Sequence, residues 1–255
     1  MGVPLFEIMK YTEKYTVKWH DTDARRNARP SKIVEYMQEI ANRQCEASGL
    51  PLDKMRDERG LGFILGALSL RIDKSLHAYD EIEVSTWCRP ARGFIFNRYF
   101  EIKAGGELAA EASSTWVLLD VAKKTIVRTD PGDEMHSHFY YDEPIDPYSL
   151  PLKARVPRDV ELYEVGTRKI CYSDIDYNMH MNNTHYPDML CDFLGEMTDG
   201  SGLCVRSMSL TYVKEAALGD TLTVYRTNPD AQGQIFMQTK NSAGEVCLEA
   251  SVILA

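Results

Sequence analysis

Lys169-Ile170-Cys171-Tyr172-Ser173-Asp174-Ile175-Asp176 repeats the pattern of Thr16-Val17-Lys18-Trp19-His20-Asp21-Thr22-Asp23. Each is a β-forming run that ends on two aspartates separated by one residue. The parallel continues downstream. Ser209-Leu-Thr-Tyr-Val-Lys-Glu-Ala-Ala-Leu-Gly-Asp220 follows Ser69-Leu-Arg-Ile-Asp-Lys-Ser-Leu-His-Ala-Tyr-Asp80. Gly233-Gln-Ile-Phe236 follows Gly93-Phe-Ile-Phe96. Gly244-Glu245 and Glu249-Ala-Ser251 follow Gly106-Glu107 and Glu111-Ala-Ser113. A repeat of this length implies two copies of one structural unit.

Working outward, the first copy opens on a strand at Tyr15–Trp19. A helical stripe follows, made of Ile33, Met37, Ile40, Ala41 and Cys45. Ser31 or a neighbour should cap it, and Gly49 with Pro51 should end it. Strand patterns lie near 62–73, 80–89, 94–104 and 107–119, with Gly105-Gly106 as a hairpin turn. Thr125 to Arg128 adds a short edge strand. Pro131, Pro144, Pro147, Pro151 and Pro157 then mark a linker over 131–160, dividing a unit at 1–130 from one at 161–255. Each copy reads as a strand, a long helix and four strands. The expected fold is α+β, each half a long helix wrapped by a curved antiparallel sheet. Each half alone leaves an open edge, so the two should pair edge to edge or pack as a pseudo-dimer.

Composition narrows the function. Apolar residues make up 44% of the 255, enough for a packed core. No apolar run approaches the length of a membrane span. Met1 to Lys10 lacks the basic segment and apolar core of a secretory signal, so a cytoplasmic location is expected. The six cysteines form no Cys-x-x-Cys pair and read as thiols rather than as zinc or redox ligands. His136 and His138 lack partners at metal spacing, so neither a metal nor any other cofactor is expected. A net charge of −9 argues against nucleic acid and anionic membranes, and mildly against an acidic protein partner.

The chemistry concentrates in Asp176-Tyr-Asn178-Met-His180-Met-Asn182-Asn183. In an extended segment Asp176, Asn178 and His180 share one face, bringing together a carboxylate, an amide and an imidazole. The first copy has Asp23, Arg25 and Asn27 there, without the imidazole. It has Lys74-Ser75 where the second has Lys214-Glu215, without the carboxylate. One functional site and one degenerate copy account for this difference; drift between repeats is the alternative.

The block Asp176-x-Asn178-x-His180-Met181-Asn182-Asn183-x-x-Tyr186 resembles the signature of the acyl-[acyl-carrier-protein] thioesterases. Tyr212-Val-Lys-Glu215 and Trp116-Val-Leu-Leu119 resemble further segments of that family. The resemblance implies a tandem double hotdog fold. It also implies hydrolysis of a fatty acyl-carrier-protein thioester to free fatty acid and carrier protein. Asp176, Asn178, His180 and Glu215 would be catalytic. Plant relatives carry Cys after the glutamate; Ala216 stands there in this chain, which excludes a papain-like scheme at that position. Either His180 or Glu215 would take a proton from water, and Asp176 would position His180 or attack directly. Asn178 would hold the carbonyl or orient a partner. Backbone N–H groups from Asn182 to Tyr186 would receive the oxyanion, with Thr184 capping the helix and Pro187 in its first turn. The first copy would hold the acyl chain, through Met37, Ile40 and Phe63. Arg25, Arg26, Arg29 and Lys32 would dock the carrier protein, and a homodimer is a further expectation. The alternatives are a 4-hydroxybenzoyl-CoA-thioesterase-like acyl-CoA thioesterase and a non-catalytic acyl-binding module.

Overall fold

The structure, a computed structural model, describes residues 10–89, 93–129, 153–194 and 204–254. His136, His138 and most of the expected linker lie outside these residues.

The first strand, β1, runs from Lys10 to Thr16, earlier than the alternation alone suggests. It stops because Asp21 Oδ2 accepts the Lys18 N–H at 3.2 Å and folds Trp19–Asp21 into a single 3₁₀ turn. The repeat does the same: β7 (Tyr163–Lys169) gives way to a 3₁₀ turn at Tyr172–Asp174, and Asp174 Oδ2 accepts the Cys171 N–H at 2.8 Å. The paired aspartates of the repeat therefore begin with a structural aspartate in each copy.

Helix α1 spans Pro30–Ala47, with Arg29 at the N-cap and Pro30 in the first turn, where no N–H is needed. Ser31 lies buried inside the helix rather than at its cap. Ile33, Val34, Met37, Ile40, Ala41 and Cys45 form the buried face. A short helix α2, Leu52–Arg59, follows and closes on Gly60 at φ +66°. The remaining strands of the first half are β2 (Leu61–Ile72), β3 (Glu81–Cys88), β4 (Ile95–Ala104), β5 (Glu107–Asp120) and the short β6 (Thr125–Ile126).

The second half contains helix α3 (His185–Asp192) and strands β8 (Val205–Tyr212), β9 (Thr221–Arg226), β10 (Gln234–Lys240) and β11 (Val246–Leu254). The described helix of the second half, α3, has 8 residues, against 18 in α1. The Phe193 N–H bonds to Leu190 O at 3.2 Å and the Leu194 N–H to Cys191 O at 3.1 Å, tightening the last turn into a stop.

The strands form one antiparallel sheet in the order β1-β3-β4-β5-β2-β8-β11-β10-β9-β7. This order is palindromic with respect to the repeat, and the halves join at β2 and β8. Repeat-equivalent Ser69 and Ser209 face each other there, with their hydroxyls 3.0 Å apart. A pseudo-two-fold axis thus passes between them. The fold is the expected double hotdog, with each half's open edge filled by the other.

One core cluster runs through both halves, from Ile33, Met37 and Ile40 to Met189, Leu190 and Val224. A second cluster exists at the α1–α2 corner, with Cys45, Leu50, Met55, Cys88, Phe96 and Leu118. The described end of the linker is pinned to the second half, where Thr211 Oγ1 donates to Ala154 O at 2.7 Å. Among the described residues no helix is long and apolar enough to cross a membrane.

At Gly166 β7 bulges and φ is +148°, and a Cβ would lie 2.8 Å from Phe193 Cε1. Gly166→Ala should destabilise the protein by about 1–3 kcal/mol through backbone strain and displacement of the Phe193 ring. Urea unfolding should show this as a lower midpoint; an unchanged midpoint would contradict the close packing of β7 on the end of α3.

Candidate functional site

In both copies, a tight turn follows the aspartate pair. In the first, the Asp23 N–H bonds to Asn27 O at 2.8 Å, and Asp23 Oδ1 accepts the Arg25 and Asn27 N–H groups at 2.8 and 3.0 Å. In the second, the Asp176 N–H bonds to His180 O at 3.0 Å, and Asp176 Oδ1 accepts the Asn178 N–H at 2.8 Å. Arg26 and Met179 occupy the same left-handed position, at φ +66° and +67°. The expectation that 176–180 is extended, with three side chains on one face, is therefore corrected. A carboxylate that caps its own following amides favours a closed turn over a strand.

The turn is laced to the segment after β8. His180 pairs with Ala217 as an isolated antiparallel bridge, and the Met181 N–H bonds to Ala216 O at 2.8 Å. Ala216 is fully buried beneath this lacing. The pairing sets Glu215 beside the imidazole: His180 Nε2 lies 3.0 Å from Glu215 Oε2. His180 is half-buried, while the Glu215 side chain is 60% exposed and so open to water. The first copy has the same bridge, Asn27 to His77, but Asn27 and Ser75 supply no such pair.

Asp176 is engaged with Asn178. Its Oδ1 takes the Asn178 backbone N–H, and its Oδ2 lies 3.4 Å from Asn178 Nδ2. On the other side, Asn178 Oδ1 accepts a hydrogen bond from Arg56 Nη1 of α2. The Arg56 guanidinium also lies 4.7 Å over the Tyr177 ring. Arg56 comes from the first half and reaches the turn of the second. No motif or spacing marks it in the sequence, since the contact depends on how the halves dock.

The expected backbone oxyanion donors are largely occupied. The Asn182 N–H bonds to Asp174 O at 2.8 Å, the Thr184 N–H to Asn182 Oδ1 at 3.1 Å, and the His185 N–H to Asn182 O at 3.0 Å. Thr184 is the N-cap of α3 but makes no side-chain cap bond; the Asn182 carboxamide serves that end instead. Asn182 thus ties the helix to the turn, and this consumes the donors.

Asp174 is buried beneath this arrangement, with Arg168 Nη2 at 2.7 Å and His185 Nδ1 at 3.8 Å. Tyr186 and Tyr212 pack edge to face at 5.4 Å, and Tyr212 Oη donates to Asn183 O at 3.1 Å. Burial drives both phenols above their usual range.

Phe63 lines an apolar cavity of about 50 Å³ with Ala41, Leu52, Phe96 and Trp116. Met37 and Ile40 do not line it; they are buried in the core that joins α1 to the sheet. Arg25 and Arg26 are exposed on the first-copy turn. Arg29 is bonded to Asp188 of α3 at 3.0 Å, and Lys32 to Glu35 at 2.7 Å. The four cations therefore do not form one unpaired patch.

Burial pushes the Cys45 and Cys247 thiols up, the Cys88 thiol up to about 11 and the Cys191 thiol up to about 12. These four are held as neutral thiols at neutral pH, poorly suited to nucleophilic work. Cys171 is exposed.

Comparison with known proteins agrees with the duplicated fold. The acyl-ACP thioesterase N-terminal domain matches residues 8–136, and the acyl-ACP thioesterase C-terminal domain matches residues 159–252. An oleoyl-acyl carrier protein thioesterase from Arabidopsis thaliana is 22% identical over 88% of this chain and 66% of its own length. The chain spans between 45% and 66% of the length of the curated relatives it matches. The crystal structure of an acyl-ACP thioesterase from Bacteroides thetaiotaomicron superimposes with a TM-score of 0.84 at 20% identity, covering 98% of this chain and 99% of that one. The 12:0-ACP thioesterase from Umbellularia californica gives a TM-score of 0.82 at 14% identity, covering 97% of each chain. Both halves and the fold that joins them are thus accounted for, and the chain belongs to the acyl-ACP thioesterase family.

Proposed function

We propose that this protein hydrolyses the thioester of a fatty acyl chain carried on an acyl carrier protein, releasing the free acid and the carrier thiol. The observation that carries this reading is the His180–Glu215 pair at 3.0 Å, built in one copy of a duplicated turn and missing from the other. The reading draws further support from the matched family and from the apolar cavity bounded by Phe63 and Phe96.

Water reaches Glu215 from solvent. As its oxygen attacks the thioester carbonyl carbon, its proton passes to the His180–Glu215 pair. The tetrahedral intermediate collapses with cleavage of the C–S bond, and the pair returns the proton to the leaving sulfur. Asn178 Nδ2 keeps one hydrogen beyond its Asp176 contact and donates it to the developing oxyanion. Asp176 acts by holding Asn178, since its oxygens are committed to that residue. This division leaves Asp176 as neither base nor nucleophile.

The acyl chain enters the first half at the Phe63 cavity, which at about 50 Å³ must widen to admit it, with Phe63 in contact and Met37 and Ile40 in the core of the same half. Arg25 and Arg26 meet the acidic carrier, with Arg29 and Lys32 as a partly neutralised second rank. The protein works in the cytoplasm with that substrate. A homodimer would have to use a surface other than the β2 and β8 edges, which the halves fill for each other.

His180→Ala and Glu215→Gln should each lower kcat by about 10²–10⁴ on acyl-carrier-protein substrates, with the fold intact by circular dichroism. Asp176→Asn should also lose activity, through loss of Asn178 alignment. Full turnover by His180→Ala would sink the reading, and equal efficiency on acyl-CoA at matched chain length would favour the acyl-CoA alternative.

Alkylation with iodoacetamide at pH 7 should label Cys171 ahead of the buried thiols and leave most turnover in place. Loss of activity on labelling of the folded protein would restore a thiol mechanism.

Phe63→Ala should shift the preferred acyl chain to greater length, because each added methylene that finds burial gains about 0.8 kcal/mol. A chain-length series of substrates measures this, and an unchanged profile would remove Phe63 from the acyl site.

A further inference from the structure

We propose that Arg56, contributed by the first half, is a positioning residue for the chemistry of the second half; this rests on the thioesterase reading above. Its task is to fix which end of the Asn178 carboxamide faces the substrate.

The argument is one of donors and acceptors. A carboxamide has two nearly isosteric ends, one accepting and one donating, and rotation by half a turn exchanges them. A guanidinium has N–H donors and no acceptor, so only the amide oxygen can face Arg56. An ionised carboxylate accepts only, so only the amide nitrogen can face Asp176. Asn178 lies between the two, with Oδ1 bonded to Arg56 Nη1 and Nδ2 at 3.4 Å from Asp176 Oδ2. Each neighbour excludes the flipped amide. One Nδ2 hydrogen is directed at Asp176, and the second remains for a carbonyl oxygen. The Asp176 contact is long, so the cationic partner carries most of the selection.

Arg56 is itself held. Its guanidinium stacks over Tyr177, the neighbour of Asn178 in the same turn. Met55 anchors α2 in the core at 2% exposure, and Gly60 closes the helix in the left-handed conformation. Leu52 lies one helical turn before Arg56, on the same side of α2, and lines the apolar cavity. A single helix of the first half therefore touches the cavity through Leu52 and the Asn178 amide through Arg56, one turn later. The first-copy turn has Arg25 at the equivalent position, with no amide to orient.

The test is a double-mutant cycle on the purified protein. Arg56→Met should lower kcat on acyl-carrier-protein substrate about 10–100-fold while KM moves less than about threefold. In an Asn178→Ala background the same change should add almost nothing, because there is no amide left to orient. Arg56→Lys keeps the charge but loses the planar fork and should recover only part of the rate. Guanidine should partly rescue Arg56→Ala and should not rescue Asn178→Ala. If Arg56→Met fails to fold, the Lys variant and guanidine rescue decide the matter. Wild-type turnover lost in His180→Ala secures the reaction independently. The inference is overturned if Arg56→Met stays within twofold of wild type, or if the two losses simply multiply. Should wild type hydrolyse no thioester, the functional reading fails on its own. The Asn178 side-chain amide resonances still report the clamp then, and an amide undisturbed by Arg56→Met would overturn it.

Discussion

Strands β2 and β8 pair over five residues centred on Ser69 and Ser209, and the other strands of the sheet extend outward from that pair. Each half alone would expose a long edge of unpaired backbone groups next to buried leucines, a surface prone to pairing with other chains. The halves cover that edge for each other, and the buried hydroxyls of Ser69 and Ser209 satisfy one another on the axis. Because β2 and β8 are antiparallel, the segments that follow them leave at opposite ends of the joined sheet. Each segment then laces back onto its own copy's turn, Ala28 to Leu76 in one half and Met181 to Ala216 in the other. The central pairing thus determines where the two turns lie, and of these the second carries the imidazole–carboxylate pair His180–Glu215.

The repeat separates structural from functional charge. Lys74 bonds Glu107 at 2.8 Å, and the equivalent Lys214 bonds Glu245 at 2.5 Å, both on exposed hairpins. Asp23 and Asp176 cap the same turn, and Asp21 and Asp174 fold the same 3₁₀ segment. Interactions found in both copies need no catalytic explanation. The His180–Glu215 pair is replaced across the axis by Asn27 and Ser75, and the Asn178 carboxamide by Arg25; His180, Glu215 and Asn178 are the side chains the reaction would use.

Much of this was legible in the sequence because it rests on local pattern. The duplication, the strands of each half, α1 with its apolar stripe and the block Asp176–His180 all follow from periodicity, turn residues and repeated spacing. The geometry inside the turn was harder to read. Alternation suggests extension, yet Asp176 gains more by capping the amides that follow it, and that closes the chain on itself. The occupied amides of Asn182, Thr184 and His185 depend on the Asp174 carbonyl and on the side-chain and backbone oxygens of Asn182, which spacing does not reveal. Met37 and Ile40 share the apolar stripe of α1, but the stripe cannot say which of its members face the sheet and which face a cavity. Arg56 is the extreme case: its partner is distant in sequence and belongs to the other copy.

That last contact gives the duplication a physical rationale beyond filling sheet edges. Two identical subunits would have to place the same residues at both turns and the same helices at both flanks. A fused chain is free of that requirement. Here one half has extended its helical layer with α2 and lined a cavity with Leu52, Phe63 and Phe96. The other has a described helix of eight residues and places His180, Asn178 and Glu215 around its turn. The first half has Asn27 and Ser75 where the second has the His180–Glu215 pair, and the turn of the second half takes its Arg56 contact from α2 of the first. The two meet where Arg56 bonds Asn178. A site built on that contact would be a property of the docked pair of halves, and the stability of the β2–β8 junction would also keep its parts in register.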